Sequence, residues 1–190
     1  MEELKKYAKE NMIPIVRDKT AEVLVELCKK IKPKNILEIG TAIGYSGLLM
    51  LECTDANLTT IEKNEERANL AQKNFKKYGY LNRVQLKIGD AMEEIEKLAP
   101  QNYDLIFLDG PKGQYFRYYP FLKNMLTGGG VIFADNVDLL GLIENPQVVT
   151  HKNRAMFNNM NKFIDIVKND KDMTTTFYHI DDGFCIIEKK

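Results

Sequence analysis

The chain predicts a doubly wound α/β fold: a seven-stranded, mostly parallel sheet with one antiparallel C-terminal strand and helices on both faces. Three observations lead there. Apolar runs of strand length recur at 36–39, 58–61, 83–88, 103–108 and 131–134. The stretches between the first five carry helix-period apolar residues, and strands alternating with helices make parallel sheets. The first run enters a glycine turn, Gly40-Thr-Ala-Ile-Gly44, and then a helix start at Tyr45-Ser46. In such folds a ligand lies over the carboxyl ends of the strands, where strand order reverses.

Residues 2–10 read as a short polar helix, which Pro14 cannot continue because it lacks an amide hydrogen. A second helix starts at Asp18 or Thr20, with Leu24, Leu27, Cys28 and Ile31 on one face and Pro33 at its end. Leu48, Leu49 and Leu51 sit on the helix after the glycine turn. Ala68, Ala71, Phe75 and Tyr78 mark a further amphipathic helix. A helix over 113–125 is predicted to turn Phe121, Leu122 and Met125 inward and to stop at Gly128-Gly129-Gly130. Residues 137–154 read as a polar loop, and 155–168 as a helix with Met156, Met160, Phe163 and Val167 on one face. An antiparallel hairpin over 174–180 and 183–188 closes the chain.

Length and composition fit one domain, 1–190. Lysine plus arginine equals aspartate plus glutamate at 27 each, so nucleic-acid binding requires a local basic patch. Cys28, Cys53 and Cys185 lie far apart with no C-x-x-C spacing, which argues against zinc and against a disulfide framework. They read as reduced core thiols of a cytoplasmic protein. The charged N-terminus is no signal peptide, and no apolar run approaches a membrane span of about 18 residues.

The glycine turn lacks G-x-G-x-x-G and G-x-x-x-x-G-K-[ST], so it suits a ligand with ribose and adenine but no phosphate cradle. Glu62 closes the second strand, about where these folds place an acid on ribose hydroxyls. Asp90 follows the third strand and is equally a helix cap. Asp109 closes the fourth strand and Asp135-Asn136 the fifth. Three hard oxygen donors at neighbouring strand ends, without His or Cys, fit Mg²⁺ better than zinc. Lys112 lies three residues beyond Asp109, placed to act as a base or to hold an anion.

EIGTAIGYS at 38–46, IE at 61–62, GDA at 89–91, LDGPKGQY at 108–115 and ADN at 134–136 together resemble the class I, metal-dependent O-methyltransferases of the catechol and caffeoyl-CoA group. The resemblance implies a Rossmann-like domain, S-adenosylmethionine, and Mg²⁺ or another divalent cation. It implies cofactor contacts at Ile15, Val16, Glu38, Gly40, Ala42, Ser46, Glu62, Asp90, Ala91 and Asp109. Metal ligands are implied at Asp109, Asp135 and Asn136, and catalytic roles for Lys112 and Asp109. N-terminal helices within 1–32 are expected on the cofactor and substrate side, in a homodimer. NMIPIVRDKTAEVL, DGPKGQY and the short HKNR insertion are most similar to bacterial tRNA 5-hydroxyuridine methyltransferases. A tRNA anticodon loop is therefore the expected substrate, with Arg17, Tyr115, Arg117, Lys152 and Arg154 as contacts. A small catechol-like molecule is the alternative. Gly110-Pro111 departs from the usual pair before the lysine.

Overall fold

The computed structural model describes residues 1–99, 101–138, 149–151 and 153–190. Most of the loop expected at 137–154 lies outside them. The chain divides into two compact units, Met1–Glu94 and Ile95–Lys190.

The first unit contains α1 (Glu2–Glu10), α2 (Asp18–Ile31), β1 (Asn35–Ile39), α3 (Tyr45–Glu52), β2 (Asn57–Glu62), α4 (Glu65–Lys77) and β3 (Val84–Ile88). β2 pairs in parallel with β1 on one side and β3 on the other. Four of the five residues of β1 are buried, as continuous apolar runs in parallel sheets require. The expected face of α2 is buried at Leu24, Leu27 and Cys28, with Ile31 half-buried. Lys32, left-handed at φ 48°, ends α2 one residue before Pro33. Asn64 caps α4 by accepting from the Arg67 amide at 2.9 Å.

After α5 (Ala91–Leu98), the second unit holds β4 (Tyr103–Leu108), α6 (Tyr115–Asn124), β5 (Leu126–Asp135), α7 (Arg154–Asn169), β6 (Met173–Tyr178) and β7 (Phe184–Lys189). β4 and β5 are parallel, and β7 is antiparallel to both β5 and β6. All strands belong to one seven-stranded sheet, in the order β3-β2-β1-β4-β5-β7-β6. Phe133 stacks on Phe184, and Phe184 on Tyr178, at centroid separations of 4.6 and 4.8 Å.

Two expectations about local structure fail here. Phe121 is 38% exposed, because α6 buries Tyr115, Tyr118, Tyr119 and Leu122, a face with helical spacing that excludes position 121. The glycines at 128–130 do not end a helix but lie within β5. There β4 advances from Tyr103 to Leu105 while β5 advances from Leu126 to Val131, so the glycines absorb a register irregularity.

Gly44 begins α3 at φ +84°, and an added Cβ would stand 3.0 Å from the buried Phe75 ring. Left-handed backbone costs a non-glycine residue about 1–2 kcal/mol before any crowding. Gly44→Ala is therefore expected to lower the unfolding midpoint by roughly 2–8 °C, measurable by thermal denaturation.

Candidate functional site

Within the first unit the glycine turn is braced from beneath by a buried carboxylate. Glu38 lies in β1 with no exposed surface. It accepts from Ser46 Oγ at 2.5 Å and from Thr60 Oγ1 at 2.6 Å. A hydroxyl has one hydrogen to give, so the 2.5 Å contact between Thr41 and Thr60 must be donated by Thr41. This relay joins β1, β2, the turn and the start of α3. Gly40, at φ 104°, donates its amide to Ile61 O at 3.0 Å, and Asn74 donates from Nδ2 to Ile43 O at 2.8 Å. Nothing in the spacing of the sequence marks Asn74 as a support for the turn.

Glu62 is held differently. One carboxylate oxygen accepts from the Ala42 amide at 2.8 Å and the other from the Asn64 amide at 2.8 Å. Each oxygen keeps a lone pair, so the oriented carboxylate can still receive two neighbouring hydroxyls. Asp90 accepts from the Met92 amide at 3.0 Å and from Lys63 at 3.1 Å, and the Lys63 ammonium holds its carboxyl below the usual range. Asp90 thus bonds into the first turn of α5 while also standing after β3. Val16 is buried, Ile15 half-buried and Arg17 exposed at the start of α2.

Within the second unit Leu108 pairs with Ala134, so Asp109 and Asp135 are each one residue beyond a paired position on adjacent strands. Asp135 is 3% exposed and accepts from the Asn136 amide at 2.7 Å. Burial, reinforced by the Asp109 charge, pushes its carboxyl up to about 7. Burial also raises Asp109, against the pull of Lys112. Lys112 Nζ donates to Asp109 and, at 3.2 Å, to Tyr115 Oη. Asn136 takes a left-handed φ of 56° and donates to Asp182 at 3.4 Å. Asp182 adds further negative charge facing Asp135.

These groups carry more carboxylate than cation. Among the described residues Asp109 and Asp135 are opposed at short range by Lys112, and burial, then the Asp109 charge, raises Asp135. The donor set is all oxygen. A hard divalent cation relieves both features, and Asp109, Asp135 and the Asn136 amide oxygen fit it chemically. Among the described residues no group of three or more His, Cys, Asp or Glu is placed to hold a metal.

Tyr115 corrects one expectation. It has no exposed surface, packs edge-on against Phe163 at 5.5 Å, and its hydroxyl lies 2.9 Å from Leu108 O and 3.2 Å from Asp135 O. It ties β4, β5 and Lys112 together and cannot stack on a nucleic-acid base. Tyr118 is buried as well. Arg117 is exposed and donates to Gln114 at 3.2 Å, and Arg154 is exposed at the start of α7. Lys152 lies outside the described residues.

Comparison with known proteins settles the family. A family model described as O-methyltransferase matches residues 1–190. The chain belongs to the O-methyltransferase family. A catechol O-methyltransferase from Niastella koreensis is 35% identical over 124 residues, covering 63% of this chain and 55% of that enzyme. A Dictyostelium discoideum protein assigned as a caffeoyl-CoA O-methyltransferase is 26% identical over 98% of this chain and 84% of its own length. A crystal structure from Staphylococcus aureus, also assigned as a caffeoyl-CoA O-methyltransferase, superposes with a TM-score of 0.93 at 33% identity. It covers 100% of this chain and 91% of that one. An SAH-bound methyltransferase from Podospora anserina superposes at 0.83 with 28% identity, covering 93% and 80%. Among the described residues of this O-methyltransferase no helix is long and apolar enough to cross a membrane.

Proposed function

We propose that this O-methyltransferase moves the methyl group of S-adenosylmethionine to one hydroxyl of a small catechol-type vicinal diol, assisted by Mg²⁺ or a similar divalent cation. The observation that carries this reading is the pair Asp109 and Asp135 at adjacent strand ends, over-supplied with negative charge and countered by Lys112. Its relatives named as catechol and caffeoyl-CoA enzymes favour a small vicinal diol over RNA. The burial of Tyr115 and Tyr118 removes two of the aromatic side chains an anticodon base would need.

Asp109, Asp135 and Asn136 would hold the cation. When bound, it supplies charge stabilisation to the ionised substrate hydroxyl and lowers that hydroxyl's pKa. Lys112, fixed by Asp109 and Tyr115, adds positive charge beside the developing oxyanion. The oxygen then takes the methyl carbon, the carbon–sulfur bond breaks, S-adenosylhomocysteine leaves, and the hydroxyl proton passes to solvent. For the donor, Glu62 would receive the ribose hydroxyls, while Gly40, Ala42 and the Asp90-Ala91 segment offer backbone contacts. Ile15, Val16 and Ser46 complete the proposed cofactor set. Glu38 and Ser46 contribute by bracing the turn, since they bond each other. A homodimer through the N-terminal helices is part of the proposal, supported by the exposed Tyr7 and Met12 of that segment.

The test supplies the purified protein and S-adenosylmethionine with a catechol or with tRNA bearing 5-hydroxyuridine, with Mg²⁺ or with excess chelator. Methylated catechol that disappears with chelator is the expected product. Undiminished turnover in chelator overturns the metal assignment, and turnover on tRNA alone overturns the small-molecule one. Glu62→Gln is expected to weaken S-adenosylmethionine binding roughly 10- to 100-fold. Hydrogen bonds to a charged group are worth about 1.5–3 kcal/mol, and titration calorimetry reads the loss directly.

A further inference from the structure

The segment that follows β5 is docked against the turn between β6 and β7. The β5–β7 register sets Asp135 opposite Phe184, the first residue of β7, so residues 179–183 reach the stretch that begins at Asn136. Two backbone bonds join them: the Val137 amide donates to Gly183 O at 2.9 Å, and the Asp138 amide to Asp182 O at 3.1 Å. His179 Nδ1 lies 3.0 Å from Asp138 Oδ2. The turn closes on itself through the Gly183 amide, which donates to Ile180 O at 2.9 Å, with Asp181 and Gly183 both left-handed at φ 53° and 68°. A Cβ at position 183 would stand 2.2 Å from Asp138 Cγ, well inside van der Waals contact, so this approach requires glycine.

Asn136 is held through both its backbone and its side chain. Its backbone amide donates to Asp135 Oδ1 at 2.7 Å, and its side-chain Nδ2 meets Asp182 Oδ2 at 3.4 Å. An ionised carboxylate only accepts, so the side-chain nitrogen has to face Asp182; turned over, the amide would set oxygen against oxygen. The amide oxygen is then the atom left to offer a ligand, and hard cations are bound by amide oxygens. By sequence alone Asp182 reads as a turn residue.

We propose that Asp182 is a positioning residue for the divalent-cation site: by accepting from Asn136 Nδ2 it keeps Asn136 Oδ1 as the atom offered to the cation, and the docked turn keeps Asp182 in place. This deepens the cation reading of Asp109, Asp135 and Asn136 and rests on it. A partner of this kind touches a ligand and not the metal, and losing it costs about 10- to 100-fold in metal affinity.

The test measures Mn²⁺ binding to the full chain, without substrate or S-adenosylmethionine, by the loss of the free-ion electron paramagnetic resonance signal. Mn²⁺ takes the same oxygen donors as Mg²⁺. Asp182→Ala removes the acceptor and is expected to weaken Mn²⁺ about 10- to 100-fold. Asp182→Asn loses the charge but keeps an oxygen of the same reach, and is expected to hold Mn²⁺ several-fold better than the alanine variant. Asp181→Asn removes a charge from the exposed neighbouring position, where Asn tolerates left-handed backbone, and is expected to bind close to the wild type. A charge acting at a distance predicts instead equal losses for Ala and Asn at 182 and a comparable loss at 181. That pattern, or wild-type affinity in Asp182→Ala, overturns the proposal. Metal-free melting curves show which variants are folded. If Asp182→Ala is not, Asp182→Asn must still bind more weakly than Asp181→Asn, and equal affinities overturn the proposal. A wild type that binds no Mn²⁺ overturns the cation reading itself, whereas a wild type that binds it, with the Asp182 variants unchanged, overturns this inference alone.

Discussion

Asp135→Asn is expected to lose methyl transfer by at least about 10²-fold while making the metal-free protein more stable above neutral pH. The loss follows from removing one proposed cation ligand. Charge stabilisation by a bound metal is worth several kcal/mol at the transition state, and about 2.7 kcal/mol is already a hundredfold. The gain follows from burial. An Asp carboxyl ordinarily titrates near 3.9, and in the folded chain Asp135 is pushed up to about 7, first by burial and then by Asp109. Between those values the folded state binds more protons than the unfolded chain, so stability falls as pH rises through the window. Above it the full penalty remains, of order a few kcal/mol. Asn cannot ionise, and its side-chain oxygen can still receive the Asn136 amide. Without divalent ions the variant should therefore melt above the wild type at pH 8, and the difference should close toward pH 4. Added Mg²⁺ should raise the wild-type midpoint and leave the variant unmoved. Full turnover by the variant would defeat the metal assignment; a lower midpoint at pH 8 would defeat the account of its burial.

Lys112→Met is expected to cost about 10²–10⁴-fold in turnover, the range for a group that manages charge or a proton at the reacting atom. Lys112 pairs with Asp109 and bonds Tyr115, so its ammonium is positioned within the strand-end cluster. An electrostatic role predicts that Lys112→Arg keeps a measurable part of the activity, because the guanidinium retains the charge. A proton-accepting role predicts that Arg is as inactive as Met, because it does not deprotonate. The pH profile of the arginine variant separates the two. Removing the charge also leaves Asp109 and Asp135 facing each other uncompensated. Lys112→Met should accordingly melt below the wild type without metal, the reverse of Asp135→Asn.

The alternation of elements, the parallel strands and the acids at their ends were legible in the order of residues. A strand buried on both faces must be a continuous apolar run, and the first polar residue after it marks the end where ligands bind. Glu62, Asp109 and Asp135 could be picked out for that reason alone. The face of α6 was misread because its core is made of tyrosines. Tyr115 was expected to contact RNA, whereas its ring is buried and its hydroxyl finds Leu108 O and Asp135 O inside. Asn74 and Arg83 were silent, and Glu38 was marked as a cofactor contact rather than as the brace of the turn. Each satisfies partners at least 8 residues away, and in most cases more than 20.

The sequence by itself determined the α/β class, the acids at the strand ends that are proposed to carry the chemistry and, through its motifs, the family. Local apolar periodicity and chain order are enough for those. Only the tertiary structure decided that Glu38 braces the turn from within and that Tyr115 is core. Each depends on which distant side chains share a buried space, and a polar group in that space is defined by the partner that satisfies it.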